Sequence, residues 1–551
     1  MTQTRRRSSH RLLSALLVVI VLGICLFSGL SAVGLIGPDE PRYASIAQHM
    51  AGTGDWITPK LYGQPWFEKP ILYYWASAAL FKSLLSSEWA ARLPSAIGAL
   101  VSSLAMAALA FWRYGRRTAR STLLIFSTSV AVIAFSRSAG PDMLFTAALS
   151  LALFSAVSIL EKRGAFPVDP LRHRPGDKLD LALLGVWLGL GTLAKGPAAL
   201  LLAGGSVLLW AIGTKNLRRS FHMLHPLAIL SFAVVTLPWY LLCARANPSF
   251  FRVFLWEHNF QRYLTPMFQH RQPFWFFIPI LLLGLLPWSA LLIGPLSDAA
   301  RILRDGSWRS SPGFFIACWA TFPLLFFSFS QSKLPEYILP LFPPLSVLLA
   351  HSFIHATDHA PRRAQWMGIA TATMWVVLGV AGAVGFHRLP AYAPFDQGRI
   401  GELAILSLLL GIVAAFGVEL LALGRKWSLL LAFSAICSAC VVLAANLCVL
   451  PRLDPLLSPR PLAQDILATI PSSSGIASFG DINRNCEYGL LFYLDRPSLP
   501  QFDPHASAES YVLLGPLGDM QLNDMGVIHR KIVARFLPYC WVESVQRKTT
   551  N

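Results

Sequence analysis

Charge is what this 551-residue chain has least of: only 13% of its residues are Asp, Glu, Lys or Arg, while 54% are hydrophobic. So few ionisable groups cannot clothe a soluble globule of this size, and the apolar residues fall in repeated runs of about 20, the length that crosses a bilayer. Acidic residues are scarcer still, 28 against 46 basic, a formal net charge of +18. That excess does not indicate nucleic acid. Most basic residues sit in short loops between apolar runs, where orientation in the membrane and attraction to anionic lipid explain them. Short-period repeats and low-complexity tracts are absent, which excludes solenoids and disordered linkers. Cysteine is sparse, and six of the eight, Cys25, Cys243, Cys318, Cys437, Cys440 and Cys448, lie in or beside apolar runs as small packing residues. Cys486 and Cys540 fall in the polar tail, where they can pair if that tail lies outside the cytoplasm.

The basic residues order the chain. Arg5, Arg6 and Arg7 precede a first apolar span, roughly Leu12 to Ile36, read as an uncleaved span rather than a signal sequence. Gly37 to Arg92 is then a large loop, and a second span runs from about Leu93 to Trp112. Basic loops follow at Arg113 to Arg120, Glu161 to Lys178, Lys215 to Arg219, Arg301 to Arg304, Arg362 with Arg363, and Arg425 with Lys426. With about thirteen spans these loops all fall on one side, the side that positive residues mark as cytoplasmic. The fold class is therefore mainly α, a polytopic membrane protein comprising residues 1–450, followed at 451–551 by a small α/β domain on the outer side. Its signs are helix-like PLAQDILATI and strand-like GIASFG and YVLLG.

The residues with chemical potential collect on the outer side. In Gly37 to Pro70 the chain concentrates Asp39, Glu40, Arg42, Asp55, Glu68 and Lys69, and Tyr43, Ile46, Ala47 and Met50 recur at helical spacing after Pro41. Asp39 and Asp142 both follow a proline at a membrane edge. Two such carboxylates can orient an acceptor, take a proton or stabilise charge at an anomeric carbon, or each can simply cap a helix. Lys69 beside Glu68 suits a phosphate, or snorkels. Lys333 and Tyr337 suit a lipid phosphate at headgroup depth, or serve as interface anchors, and Lys195 is read with the same two options. In WEHNFQRY, His258 and Arg262 stand four apart with Glu257 on nearly the same face.

The motifs DEPRYA (Asp39 to Ala44), FEKPILYYW (Phe67 to Trp75), RSAGPDM (Arg137 to Met143), LAKGP (Leu193 to Pro197), PWY (Pro238 to Tyr240) and KLPEYILP (Lys333 to Pro340) occur in this order. With them the chain resembles the bacterial aminoarabinose transferase family, within the GT-C superfamily that includes protein O-mannosyltransferases. The resemblance implies a glycosyltransferase of the bacterial inner membrane, its active site in the periplasm. It would move 4-amino-4-deoxy-L-arabinose from an undecaprenyl phosphate carrier to lipid A phosphate, with inversion and without direct use of a nucleotide sugar. Asp39 and Asp142 match the two acidic catalytic positions. Lys69 and Arg262 match carrier-phosphate contacts, and Tyr337 a residue near that phosphate, with Glu40, Arg42, Tyr43 and Glu68 in the substrate loop. A divalent metal, zinc, is suggested at Glu68 and His258. Two other readings stand beside this one: a related transferase with another polyprenyl-linked sugar or acceptor, such as a protein, and a lipid transporter or flippase. A transporter would place its ionisable groups near mid-span rather than at the outer boundary.

Overall fold

The computed structural model describes residues 14–83, 85–166, 177–261, 272–390, 393, 396–471, 475–496, 498–502, 509–524, 529–536 and 538–546. It is a helical bundle carrying one small mixed sheet at the end of the chain. Among the described residues seven helices are long and apolar enough to cross a membrane, or up to nine if each of two bent pairs is one span. This is fewer than the thirteen expected. The remaining apolar segments are helical but do not meet that measure. Ser14–Phe27, Ala198–Thr214 and Pro312–Ser328 are short, and Asp177–Lys195 carries charges at both ends.

One bent pair, Arg116–Ser127 with Val130–Ser136, turns by 63°. The hydroxyls of Ser127, Thr128 and Ser129 each donate to the carbonyl four residues earlier. Such back-bonding competes with the helix and bends it. The indole of Trp288 then donates to Thr128 Oγ1 at 2.9 Å, which fixes the break. The other pair, Phe274–Gly284 with Ser289–Arg304, turns by 118°.

Burial separates inner helices from lipid-facing ones. Asp142–Lys162 and Pro335–His359 each bury 83% of their apolar window, whereas Pro226–Ala246, Pro361–His387 and Gly398–Leu423 bury 22–28%. The two inner helices are those that carry site residues at one end. Ser87–Tyr114 approaches Asp142–Lys162 through Gly98, where a Cβ would lie 2.7 Å from the Met143 backbone. Only glycine permits that approach, and it brings the outer end of one helix against the start of the other.

The tail agrees with the expected α/β character. Its sheet has the order Ile476–Phe479, Glu509–Leu514, Cys540–Gln546, His529–Phe536, with the first pair parallel and the others antiparallel. Helix Arg460–Thr469 corresponds to PLAQDILATI. Cys486, on helix Arg484–Tyr493, and Cys540 form the disulfide.

Candidate active site

Two buried ion networks build the end of the bundle that carries Asp39 and Asp142. In the first, the Glu40 carboxylate accepts from Arg92 Nη2 at 2.6 Å, from the Ile36 amide at 2.7 Å and from the Ala139 amide at 2.7 Å. Arg92 in turn donates to the carbonyls of Leu30, Val33 and Gly34, each at 2.7 Å. One carboxylate thus joins the end of the first apolar segment, the Asp39–Thr53 helix, the Ser87–Tyr114 helix and the turn before Asp142. Glu40, read from sequence as a substrate-loop residue, is buried in this structural position.

The second network attaches the tail. Arg460 pairs with Asp454 at 2.6 Å and Glu88 at 3.1 Å, Tyr493 OH donates to Glu88 at 3.0 Å, and the amides of Gly34 and Leu35 donate to Asp454 (2.7 Å) and Tyr493 OH (2.8 Å).

On this frame the acidic residues stand at helix starts without capping them. Pro38 and Pro141 hold the cap positions, and neither helix has a side-chain cap hydrogen bond. The carboxylates reach cations instead. Asp39 Oδ1 accepts from Arg42 Nη2 at 2.5 Å, and Arg42 also pairs with Glu68 Oε2 at 3.0 Å. Asp142 pairs with Lys195. The Asp39 side chain is 60% exposed and that of Asp142 22%, so Asp39 is the more open to approach. The Asp39–Thr53 helix reaches the turn before Asp142 through Tyr43. Gly140 is flanked by the Asp142 carboxylate and the ring edge of Tyr43, 3.7 and 3.8 Å from where its Cβ would stand.

Arg42 is the centre of the first half. Its guanidinium lies 5.3 Å from the Tyr43 ring and 5.4 Å from the Trp66 ring, a cation–π sandwich. Burial works against its charge, but Glu68 and Asp39 outweigh burial and raise its pKa. Burial, reinforced by Glu68, pushes the Tyr43 and Tyr74 phenols well above their ordinary value, so both remain neutral hydroxyls. Arg42 Nε, Trp66 Nε1 and Tyr74 OH are buried and make no hydrogen bond among the described residues. Buried donors of this kind normally have a partner.

The second half centres on Lys195, whose ammonium stands 5.3 Å over the Tyr337 ring and 5.7 Å over Phe145. Glu336 lies within electrostatic reach of Asp142, Lys195 and Lys69, which joins the halves. Glu336 was not among the expected residues, and Lys195 was read as a lipid-phosphate contact or interface anchor rather than as the partner of Asp142. The lone lysine closing an apolar run in LAKGP and the carboxylate inside KLPEY were the available signals. Lys69 sits 3.9 Å from Glu68. Lys333 is only 6% exposed and donates to the carbonyls of Ser330 (2.6 Å) and Gln272 (3.0 Å), so its ammonium ties its own loop to the backbone before Phe274. His258 lies on Arg252–Gln261, a π-helical stretch, and Arg262 lies outside the described residues. Among the described residues no group of three His, Cys, Asp or Glu side chains could hold a metal ion, and the Glu68 carboxylate is engaged by Arg42 and Lys69.

A family model described as dolichyl-phosphate-mannose-protein mannosyltransferase matches residues 12–254. The undecaprenyl phosphate-alpha-4-amino-4-deoxy-L-arabinose arabinosyl transferase of Edwardsiella ictaluri is 31% identical over 486 residues, covering 85% of this chain and 81% of that protein. The chain belongs to the aminoarabinose transferase family. A second transferase of the same name, from Aeromonas salmonicida, is 31% identical over 420 residues, 75% of this chain and 72% of its own length. The crystal structure of ArnT from Cupriavidus metallidurans bound to undecaprenyl phosphate superposes over 98% of both chains with a TM-score of 0.79 at 22% identity. The aminoarabinose transferase fold thus extends over almost the whole chain, tail included. The chain is a multi-pass membrane glycosyltransferase of the GT-C type.

Proposed function

We propose that this protein transfers 4-amino-4-deoxy-L-arabinose from undecaprenyl phosphate to a phosphate of lipid A, at the periplasmic face of the inner membrane and with inversion. The observation that carries this reading is one outer cluster in which Asp39 and Asp142 each face a cation, beside Lys69 and above apolar helices. A polyprenyl tail needs such helices, and its phosphate needs cations at the headgroup plane. Two features support the outward orientation. The basic loops lie at the other ends of the helices, and the tail carries a disulfide, which persists in an oxidising compartment.

In the transfer the bond from the anomeric carbon to the carrier phosphate oxygen breaks while an acceptor phosphate oxygen bonds to that carbon from the opposite side. The carrier leaves as a phosphate monoester with an added negative charge. Lys69 and the Tyr337 hydroxyl, with Arg262 matching by motif, meet that charge where it develops. The acceptor phosphate is already largely anionic near neutral pH, its second pKa lying near ~6, so a strong base is dispensable. Asp39 then serves to position the amino sugar or the leaving phosphate, with Arg42 fixing its carboxylate. Arg42, Trp66 and Tyr74 supply donors for the sugar.

Mass spectrometry of lipid A from cells with and without the gene tests the reading. An added aminopentose that depends on the gene is the expected result. A hexose or hexosamine would establish the related transferase instead, and unchanged lipid A would overturn the proposal.

A further inference from the structure

Three helices that hold the active site at one end meet again at the other. Asp142–Lys162 begins at the catalytic carboxylate and ends next to Arg163. Asp177–Lys195 runs the opposite way, from Asp177 to the lysine that pairs with Asp142. Pro226–Ala246 starts after His225 and ends at Asn247, which bonds Thr58 in the outer loop at 2.9 Å. At 1.5 Å per residue the 21-residue helices are about 30 Å long, one hydrocarbon thickness. The second and third of these helices touch backbone to backbone: a Cβ on Gly185 would lie 2.1 Å from the Ala228 carbonyl.

At their far ends Arg163, Asp177, Lys178, Leu179, His222 and His225 line an open cavity of about 580 Å³. Arg163 and Lys178 are cations and His222 and His225 are ring donors or acceptors, against the single carboxylate of Asp177. Arg163 pairs with that carboxylate at 2.8 Å and touches His222, which itself lies 3.7 Å from Asp177, while His225 Nδ1 accepts from the Leu227 amide. Lys178 is exposed. Exposed apolar side chains line the cavity or neighbour its lining: Leu179, on the lining, is 55% exposed, and Phe221 and Leu224, next in the chain to His222 and His225, are 65% and 63% exposed. Phe221 and Leu224 belong to Leu217–Leu224, a short helical stretch that also carries Arg218 and Arg219. Cations at a helix-end cavity with exposed apolar side chains beside them match a phosphate that comes with acyl chains attached.

We infer that this cavity binds the phosphate headgroup of an anionic phospholipid from the leaflet opposite the active site. Its basic side chains take the phosphate, and Leu179, Phe221 and Leu224 lie along the acyl chains. None of the lining residues belongs to the transfer machinery, so the inference stands or falls apart from the proposed reaction. Bound lipid would hold together the cytoplasmic ends of the helices whose outer ends carry Asp142 and Lys195.

Native mass spectrometry of the full chain released from detergent, titrated with phosphatidylglycerol or phosphatidylcholine of matched acyl chains, provides the test. The expected result is one retained phosphatidylglycerol in preference to phosphatidylcholine. In the R163A/K178A variant that preference should fall roughly ten-fold or more, as loss of two cations near a headgroup predicts. No headgroup preference in the unmodified chain, which does not depend on how the variant folds, would overturn the inference. So would an undiminished preference in the variant, or displacement of the lipid by millimolar inorganic phosphate, which would mark a site for a soluble anion.

Discussion

Glu40 and Arg92, 52 residues apart, form a buried ion pair at 2.6 Å whose other hydrogen bonds go to the backbone of Leu30, Val33, Gly34, Ile36 and Ala139. Removing one partner of such a pair strands the other. Glu40→Ala is therefore expected to destabilise the protein by about 3–5 kcal/mol, as for other broken buried pairs. Thermal or denaturant unfolding of the purified protein in detergent checks this, and a stability within ~1 kcal/mol of the unmodified chain would contradict the structural role.

Asp39 is held differently, by Arg42 on a largely open side chain, so its loss should act on turnover. Asp39→Asn keeps the shape and removes the charge. Transfer should fall about a hundred-fold or more, since a misplaced reacting group costs that much. Membrane insertion and melting should stay unchanged. Near-normal product in a lipid A assay would remove Asp39 from the site.

For Lys69→Ala the loss should appear in carrier binding. A charged hydrogen bond to phosphate contributes about 1.5–3 kcal/mol, so affinity for undecaprenyl phosphate should drop at least about ten-fold. Acceptor affinity should stay level. Equal carrier affinity in a lipid-binding assay would contradict the assignment.

Asp142 and Lys195 lend themselves to a double-mutant cycle. Asp142→Asn and Lys195→Met each leave a partly buried charge without its partner, whereas the double variant removes both charges. The double variant should be more stable than the sum of the single losses predicts and still inactive. Additive stability losses would mean that the pair is not coupled, and activity in the double variant would mean that it only holds the fold.

The large features of this architecture were readable in order along the chain because they are local. Apolar runs, basic loops and the strand-like GIASFG and YVLLG depend on neighbours a few residues away. The run STS at Ser127 to Ser129 was visible too, but its meaning as a break depends on the Trp288 indole arriving from 160 residues further on. The span count differed for a similar reason. Helices packed inside a bundle need not each satisfy the length and polarity limits of a helix in lipid. At the site, Asp39, Asp142 and Lys69 stood out as charges at membrane edges. That Arg92 belonged with Glu40, or Lys195 with Asp142, could not be read from spacing, since both pairs close over distances of about 50 residues. The capping reading of the two aspartates failed because the prolines before them occupy the cap positions.

The attachment of the tail bears on how the protein is made. Gly34 and Leu35 emerge from the first apolar segment, yet their amides wait for Asp454 and Tyr493, and Glu88 waits for Arg460. During synthesis the loop after the first apolar segment is therefore made long before its partners. Its hydrogen bonds are complete only once the residues from Asp454 onward have joined it, so the first loop and the end of the chain settle into their final arrangement together.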